Sequence, residues 1–221
     1  MFFNLFPLLR LVIAPFIVWP PADGPCRSDL NGDGIISMTD LLLLLSDFGL
    51  YCDTVPPEPL VWPDIRFSEL HYNPSIDQGS DSDFEFLELT NLDTVDVNLT
   101  GWSISEGLEF TFPEESWLPA GSYVVVTTAP MSYSGLGYPV FDWGGGGLNN
   151  SGEMLALRAP NGAVVEYVQY SDHSPWDSAP DGQGPSLERL FLDGPAQEAG
   201  SWAASIGVGG TPGTVNSLWI D

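Results

Sequence analysis

Five oxygen-bearing side chains in Asp29-Leu-Asn-Gly-Asp-Gly-Ile-Ile-Ser-Met-Thr-Asp40 fall at the spacing of a calcium loop. Asp29, Asn31, Asp33, Ser37 and Asp40 take the first, third, fifth, ninth and twelfth positions. Ile35, at the seventh, offers its backbone carbonyl. Gly34, at the sixth, stands where the loop turns sharply and a Cβ would be in the way. A hard cation such as Ca2+ takes six to eight oxygens at about 2.3–2.6 Å, and this spacing wraps them around one point. The closing residue is Asp, one methylene shorter than the Glu of helix–loop–helix sensor sites. The competing reading is a solvated acidic turn.

The rest of the chain offers little to catalysis. Its two histidines, His71 and His173, are expected near a strand end and in a loop. No Gly-x-Ser-x-Gly elbow is present, and zinc would have to be held by carboxylates for want of His and Cys. The acidic group Asp77, Asp81, Asp83, Glu85 and Glu88 is the remaining candidate. Glu85 and Glu88 have opposite strand parity and should face apart. A solvated loop, or a second calcium site over Asp77–Asp83, is the simpler expectation, and the chain reads as a non-enzyme. Gly144 to Gly147 is not followed by the Gly-Lys-Ser/Thr of a phosphate loop and reads as a flexible connection. Trp143 and Trp176 fall in or near loops, where rings could stack on sugars or cap the end of a sandwich.

Several elements must position the loop. Leu41–Leu45 reads as a short helix ended by Gly49. Cys26 and Cys52 flank the unit and are the only cysteines. A disulfide between them would contribute roughly 3–4 kcal/mol to a unit with little core of its own. Residues 1–22 are apolar, with Arg10 the only charge. They read as a secretory signal, or alternatively as an uncleaved membrane anchor. No other segment has the length and apolarity to cross a membrane. Residues 53–63 are proline-rich and read as an extended linker.

The 221-residue chain has a formal net charge of −25, with five arginines and no lysine. Such a surface repels phosphates, which argues against a nucleic-acid partner. Apolar residues make up 43% and there are eight tryptophans, enough for a real core. From residue 64 to 217 short β-rich runs alternate with Gly, Pro, Asn and Asp clusters. Strands are expected over 66–72, 84–91, 101–105, 122–128, 154–158, 163–170 and 186–190. Pro160-Asn161-Gly162 reads as a hairpin turn. Gly101-Trp102 is expected to place its indole in the core.

The loop and its helix resemble one dockerin repeat, whose loop closes with Asp; dockerins carry two such repeats and one is present here. The later region resembles the lamin tail domain, an immunoglobulin-like sandwich. The resemblance rests on Phe67-Ser-Glu-Leu-His-Tyr-Asn-Pro74, Asp83-Phe-Glu-Phe-Leu-Glu-Leu-Thr-Asn91, Val97-Asn-Leu-Thr-Gly-Trp-Ser-Ile-Ser105, Ser186-Leu-Glu-Arg189 and Gly209-Gly-Thr-Pro-Gly-Thr-Val-Asn-Ser217. It implies a mostly β fold: an antiparallel β-sandwich over residues 64–217, preceded by a small α-helical calcium-loop unit over residues 26–52. It implies a non-catalytic interaction or attachment module, secreted or at the cell surface, with a protein or cell-surface partner and Ca2+ as cofactor. The alternative is a carbohydrate-binding or carbohydrate-acting component of a secreted polysaccharide-degradation system.

Overall fold

Short apolar runs cut by turn residues cannot build long helices, and past residue 61 they build strands. The computed structural model describes residues 28–32, 34–46, 48, 61–135 and 137–219. The chain divides into two compact units, Met1–Leu60 and Val61–Asp221, a division that falls inside the proline-rich stretch. The apolar segment 1–22, Cys26, Cys52, Asp33 and Gly49 lie outside the described residues.

In the first unit, helix α1 spans Met38–Ser46. Ser37 starts it: its Oγ accepts from the Thr39 N–H at 3.2 Å, while the Asp40 carboxylate reaches back to accept from the Ser37 N–H at 2.7 Å. This reciprocal capping satisfies donors that the first helical turn leaves free. Leu41 to Leu45 are all exposed. No helix among the described residues is long and apolar enough to cross a membrane.

The second unit contains strands β1 (Ile65–His71), β2 (Phe86–Asn91), β3 (Val97–Asn98), β4 (Ser103–Glu106), β5 (Phe110–Thr111), β6 (Trp117–Leu118), β7 (Tyr123–Thr127), β8 (Val140–Asp142), β9 (Met154–Arg158), β10 (Val164–Gln169), β11 (Pro185–Arg189) and β12 (Trp202–Val208). They form a six-stranded sheet, β12-β11-β1-β2-β7-β8, a four-stranded sheet, β10-β9-β4-β5, and the pair β3-β6. Every pairing is antiparallel except β7 with β8, which is parallel. That corrects the expectation of a purely antiparallel sandwich. The chain leaves β7 through a short 3-10 turn at Pro130–Tyr133 and re-enters the sheet edge in the same direction.

The main core gathers inward residues of the two large sheets, among them Phe67, Leu70, Leu87, Leu89, Val124, Val126, Ile104, Leu155, Leu157 and Val168. Trp102 is buried there as expected, with the Trp62 ring edge-on at 5.9 Å. The expected hairpin joins β9 to β10: Gly162 takes φ +85° and its N–H donates to the Ala159 carbonyl at 2.8 Å. A smaller apolar cluster of Phe86, Val125 and Tyr133 lies apart from this core. A bulge between Phe67 and Glu69 sets the register of β1. Glu69 then stands opposite Glu88 on β2 and opposite Glu188 on β11.

Candidate functional site

The loop at residues 29–40 is built around two carboxylates. The Asp29 carboxylate accepts from the Gly32 and Gly34 N–H groups, both at 2.8 Å. Both glycines take positive φ, +74° and +83°, which curls the backbone about that side chain. Asp40 is only 3% exposed although its neighbours are exposed. It accepts from the N–H groups of Leu30 at 2.7 Å and Asn31 at 3.2 Å as well as from Ser37. These backbone donors, the Ser37 N–H foremost, hold the Asp40 carboxyl below the usual carboxylate range. The carboxylates of the first and twelfth positions are therefore both turned onto backbone N–H groups of the loop. Among the described residues no group of three or more His, Cys, Asp or Glu is gathered tightly enough to hold a metal ion. Asp33, the fifth-position residue, lies outside them.

Sequence reasoning missed a second acidic feature. Glu69, Glu88 and Glu188 are each 0% exposed and form a cross-strand row on β1, β2 and β11. The C-terminal segment 209–217 covers them. The Thr211 N–H donates to Glu69 Oε1 at 2.9 Å, and Gly213 N–H to Glu88 Oε2 at 2.5 Å. Ser217 donates to Glu188 Oε2 from its N–H at 2.8 Å and its hydroxyl at 2.7 Å, and Thr211 Oγ1 to Glu188 Oε1 at 2.7 Å. From the sheet, Ser186 Oγ donates to Glu69 and Ser68 Oγ to Glu88. Burial pushes Glu69 up to about 8, and burial with the neighbouring Glu69 charge lifts Glu88 well above its ordinary value. The available signal was Glu88 alone, whose parity opposes that of the core residues Leu87 and Leu89; Glu69 shares the sequence parity of Ile65 and Phe67, and only the bulge of β1 sets it opposite Glu88.

Two further buried acids hold the sandwich together. Glu166 accepts from Arg189 Nη1 at 2.7 Å and from the Phe67 N–H at 2.7 Å, tying β10 to β11 and to the bulge of β1. Arg189 is fully buried, also donates to the carbonyls of Phe67, Phe191, Leu192 and Gly194, and lies 5.7 Å over the Trp202 ring. Glu85 accepts from the Leu148 N–H at 3.1 Å, and burial pushes its carboxyl up to about 7. Glu85 and Glu88 do go to different places, as their parity requires. Asp77 and Asp83 are exposed, Asp81 accepts from Asn150, and these residues do not gather as the second calcium site considered above.

Trp143 is buried in the sandwich core, 6% exposed, and presents no free face to a ligand. Trp176 is half-buried beside Trp202 and lines an open cleft of about 290 Å3 with Glu153, Gln169 and Tyr170. Gln78 donates to His71 Nε2 at 3.0 Å, and burial pushes this imidazole down to about 4, so it is neutral near pH 7. His173 is exposed beside Asp172.

No curated protein matches this chain. The model of one family, the Lamin Tail Domain, matches residues 62–172, which covers β1 through β10 and leaves the 29–40 loop outside the match. The match takes in the bulge of β1, two of the three row glutamates and the contact of Glu166 with the Phe67 N–H, and leaves Arg189 and Glu188 outside. On that match, which spans half of its length, the chain belongs to the lamin tail domain family.

Proposed function

We propose that this protein is a secreted or surface-exposed, non-catalytic interaction module. Its lamin tail sandwich is the binding body, and its N-terminal loop takes one Ca2+ to order an attachment element. Family membership supports the first part, since a lamin tail sandwich serves as a protein-interaction module. The observation that carries the second is that the Asp29 and Asp40 carboxylates both turn onto the backbone of a loop of calcium spacing. The residues fit the cation: Asp29, Asn31, Asp33, Ser37 and Asp40 would supply side-chain oxygens and Ile35 its carbonyl, all hard ligands. Ca2+ there would neutralise charge that otherwise repels within the loop. The apolar segment 1–22 and a Cys26–Cys52 disulfide belong to the same exported reading.

Calorimetric titration of Ca2+ into the full chain, with Mg2+ as control, tests it. One saturable Ca2+-selective site is expected, weakened at least about tenfold by Asp29→Ala, the change expected from losing one charged ligand worth about 1.4 kcal/mol or more. No heat of binding would return the loop to a solvated turn.

A carbohydrate ligand is the second reading, and the Trp176 cleft favours it: an aromatic ring flanked by a carboxylate and an amide suits a sugar. Glycan-array binding by the full chain that disappears in Trp176→Ala would support it; an array without a selective signal would remove it.

A further inference from the structure

We propose that residues 209–217 are a proton-latched strap, which closes over Glu69, Glu88 and Glu188 while that row holds a proton and opens when the row is fully ionised. The three carboxylates are fully buried and adjacent across β11, β1 and β2. The strap brings them only neutral donors: the N–H groups of Thr211, Gly213 and Ser217 and the hydroxyls of Thr211 and Ser217. The strap has no titratable side chain of its own.

The groups facing the row from other elements are also neutral. Tyr138, from the connection between β7 and β8, and Tyr133, from the 3-10 turn, both feel the row; their phenols are raised by burial first. Tyr123 on β7 feels Glu88 in the same way. His71, farther along β1, is neutral and bound to Gln78. The nearest guanidinium in sequence, Arg189, is committed to Glu166 and to backbone carbonyls. Among the described residues, then, no cation offsets the row, and its carboxylates do not converge on a metal position. The buried carboxylates of Glu69 and Glu88, in contact with neutral donors and with each other, cannot both ionise without cost, and the two titrate together.

The strap is built to sit close. Gly210 (φ +72°) and Gly213 (φ +81°) press their bare backbone against the Glu69 carboxylate and the Tyr138 ring, where any Cβ would collide. It is irregular chain after the last strand, held mainly by these polar contacts and by Asn216 Nδ2 to the Ser68 and Arg189 carbonyls, both at 2.9 Å. Such a segment can open without unfolding the sheets. The direction follows from linkage. Burial raises Glu69 to about 8 and Glu88 well above the carboxylate range, so the closure they support is complete below about pH 4.5 and is lost as pH rises through about 8.

Hydrogen exchange of the Thr211, Gly213 and Ser217 amides in the full chain, followed from about pH 6 to about pH 9.5 and corrected for intrinsic base catalysis, tests this. Protection of these amides should fall by about tenfold per pH unit from about pH 6 up to about pH 8, the slope for one proton lost on opening, and the fall should flatten once the closed row has ionised as well. Amides of β2 and β7 should keep theirs. In Glu69→Gln and Glu88→Gln, tested singly, the fall should be weaker, because an amide cannot ionise. Unchanged protection of the native strap across this range would overturn the proposal. So would recovery of protection at high pH on adding Ca2+ or Mg2+, which would make the counterpart of the row a bound cation and not a proton.

Discussion

Arg189→Ala in the full chain is expected to lower the stability of the sandwich by about 3–5 kcal/mol, the usual consequence of removing one partner from a buried ion pair. The melting midpoint should drop by about 10 °C or more for a unit of this size. The reason is what the guanidinium leaves behind. Glu166, 6% exposed, would keep only the part-exposed Arg66 guanidinium, 3.5 Å away, as a countercharge, and four carbonyls would lose a donor in the interior. Glu166→Gln should also be costly, because it keeps the Phe67 contact but leaves Arg189 without a countercharge. The double replacement Arg189→Met with Glu166→Leu should recover part of the loss, since apolar residues of similar volume carry no desolvation cost. Denaturant unfolding followed by tryptophan fluorescence measures all three. A loss under about 1 kcal/mol for Glu166→Gln would place the pair in the class of solvent-screened surface contacts and contradict the role given to it.

Gly213→Ala is expected to cost about 2–5 kcal/mol, from two additive sources. Positive φ penalises a residue with a Cβ by about 1–2 kcal/mol, and overpacking against a fixed ring adds about 1–3 kcal/mol. The new methyl would land on the Tyr138 ring. Gly210→Ala should behave similarly, because its methyl would land on the Glu69 carboxylate and Ser186. Gly121→Ala is the control: it shares a positive φ of +64° but has open space around its Cβ position. It should show the backbone cost alone. Equal losses at Gly121 and Gly213 would mean that the strap does not sit as tightly as its geometry states.

The strands legible in the sequence were those with long β-rich runs. All seven expected runs contain a strand, and β9 matches its expected bounds at Met154–Arg158. The run from Phe84 begins later, at Phe86, because Asp81–Phe84 forms a helical turn whose carbonyl at Asp81 takes the Glu85 N–H. The strands that were missed lack a local signature. β3, β5 and β6 are two residues each, too short for alternation to register. β12, Trp-Ala-Ala-Ser-Ile-Gly-Val, is rich in small residues and is defined by its partner β11. Its Ala204 and Ile206 N–H groups are taken by Asp177 and Ser217 side chains, which blunts an exposed sheet edge.

The candidate sites divide the same way. Calcium spacing is a local property, so Asp29 through Asp40 could be read directly. The glutamate row is a product of register: Glu69 meets Glu188 across well over a hundred residues of chain, and only the bulge of β1 gives the alignment. Trp143 shows the limit of reading aromatics by loop position. It follows β8, where its N–H donates to the Thr127 carbonyl at 3.0 Å and its ring turns into the core.

Amide chemical shifts of the full chain during a calcium titration, with magnesium as control, test the two-part account most directly. The N–H groups of Leu30, Asn31, Gly32, Gly34 and Ser37, which lie on the Asp29 and Asp40 carboxylates, should shift and saturate with a single equivalent of Ca2+. Those of Thr211, Gly213 and Leu148, which lie on the sandwich glutamates, should stay where they are. A silent loop, or shifts centred on β1, β2 and β11, would contradict the account.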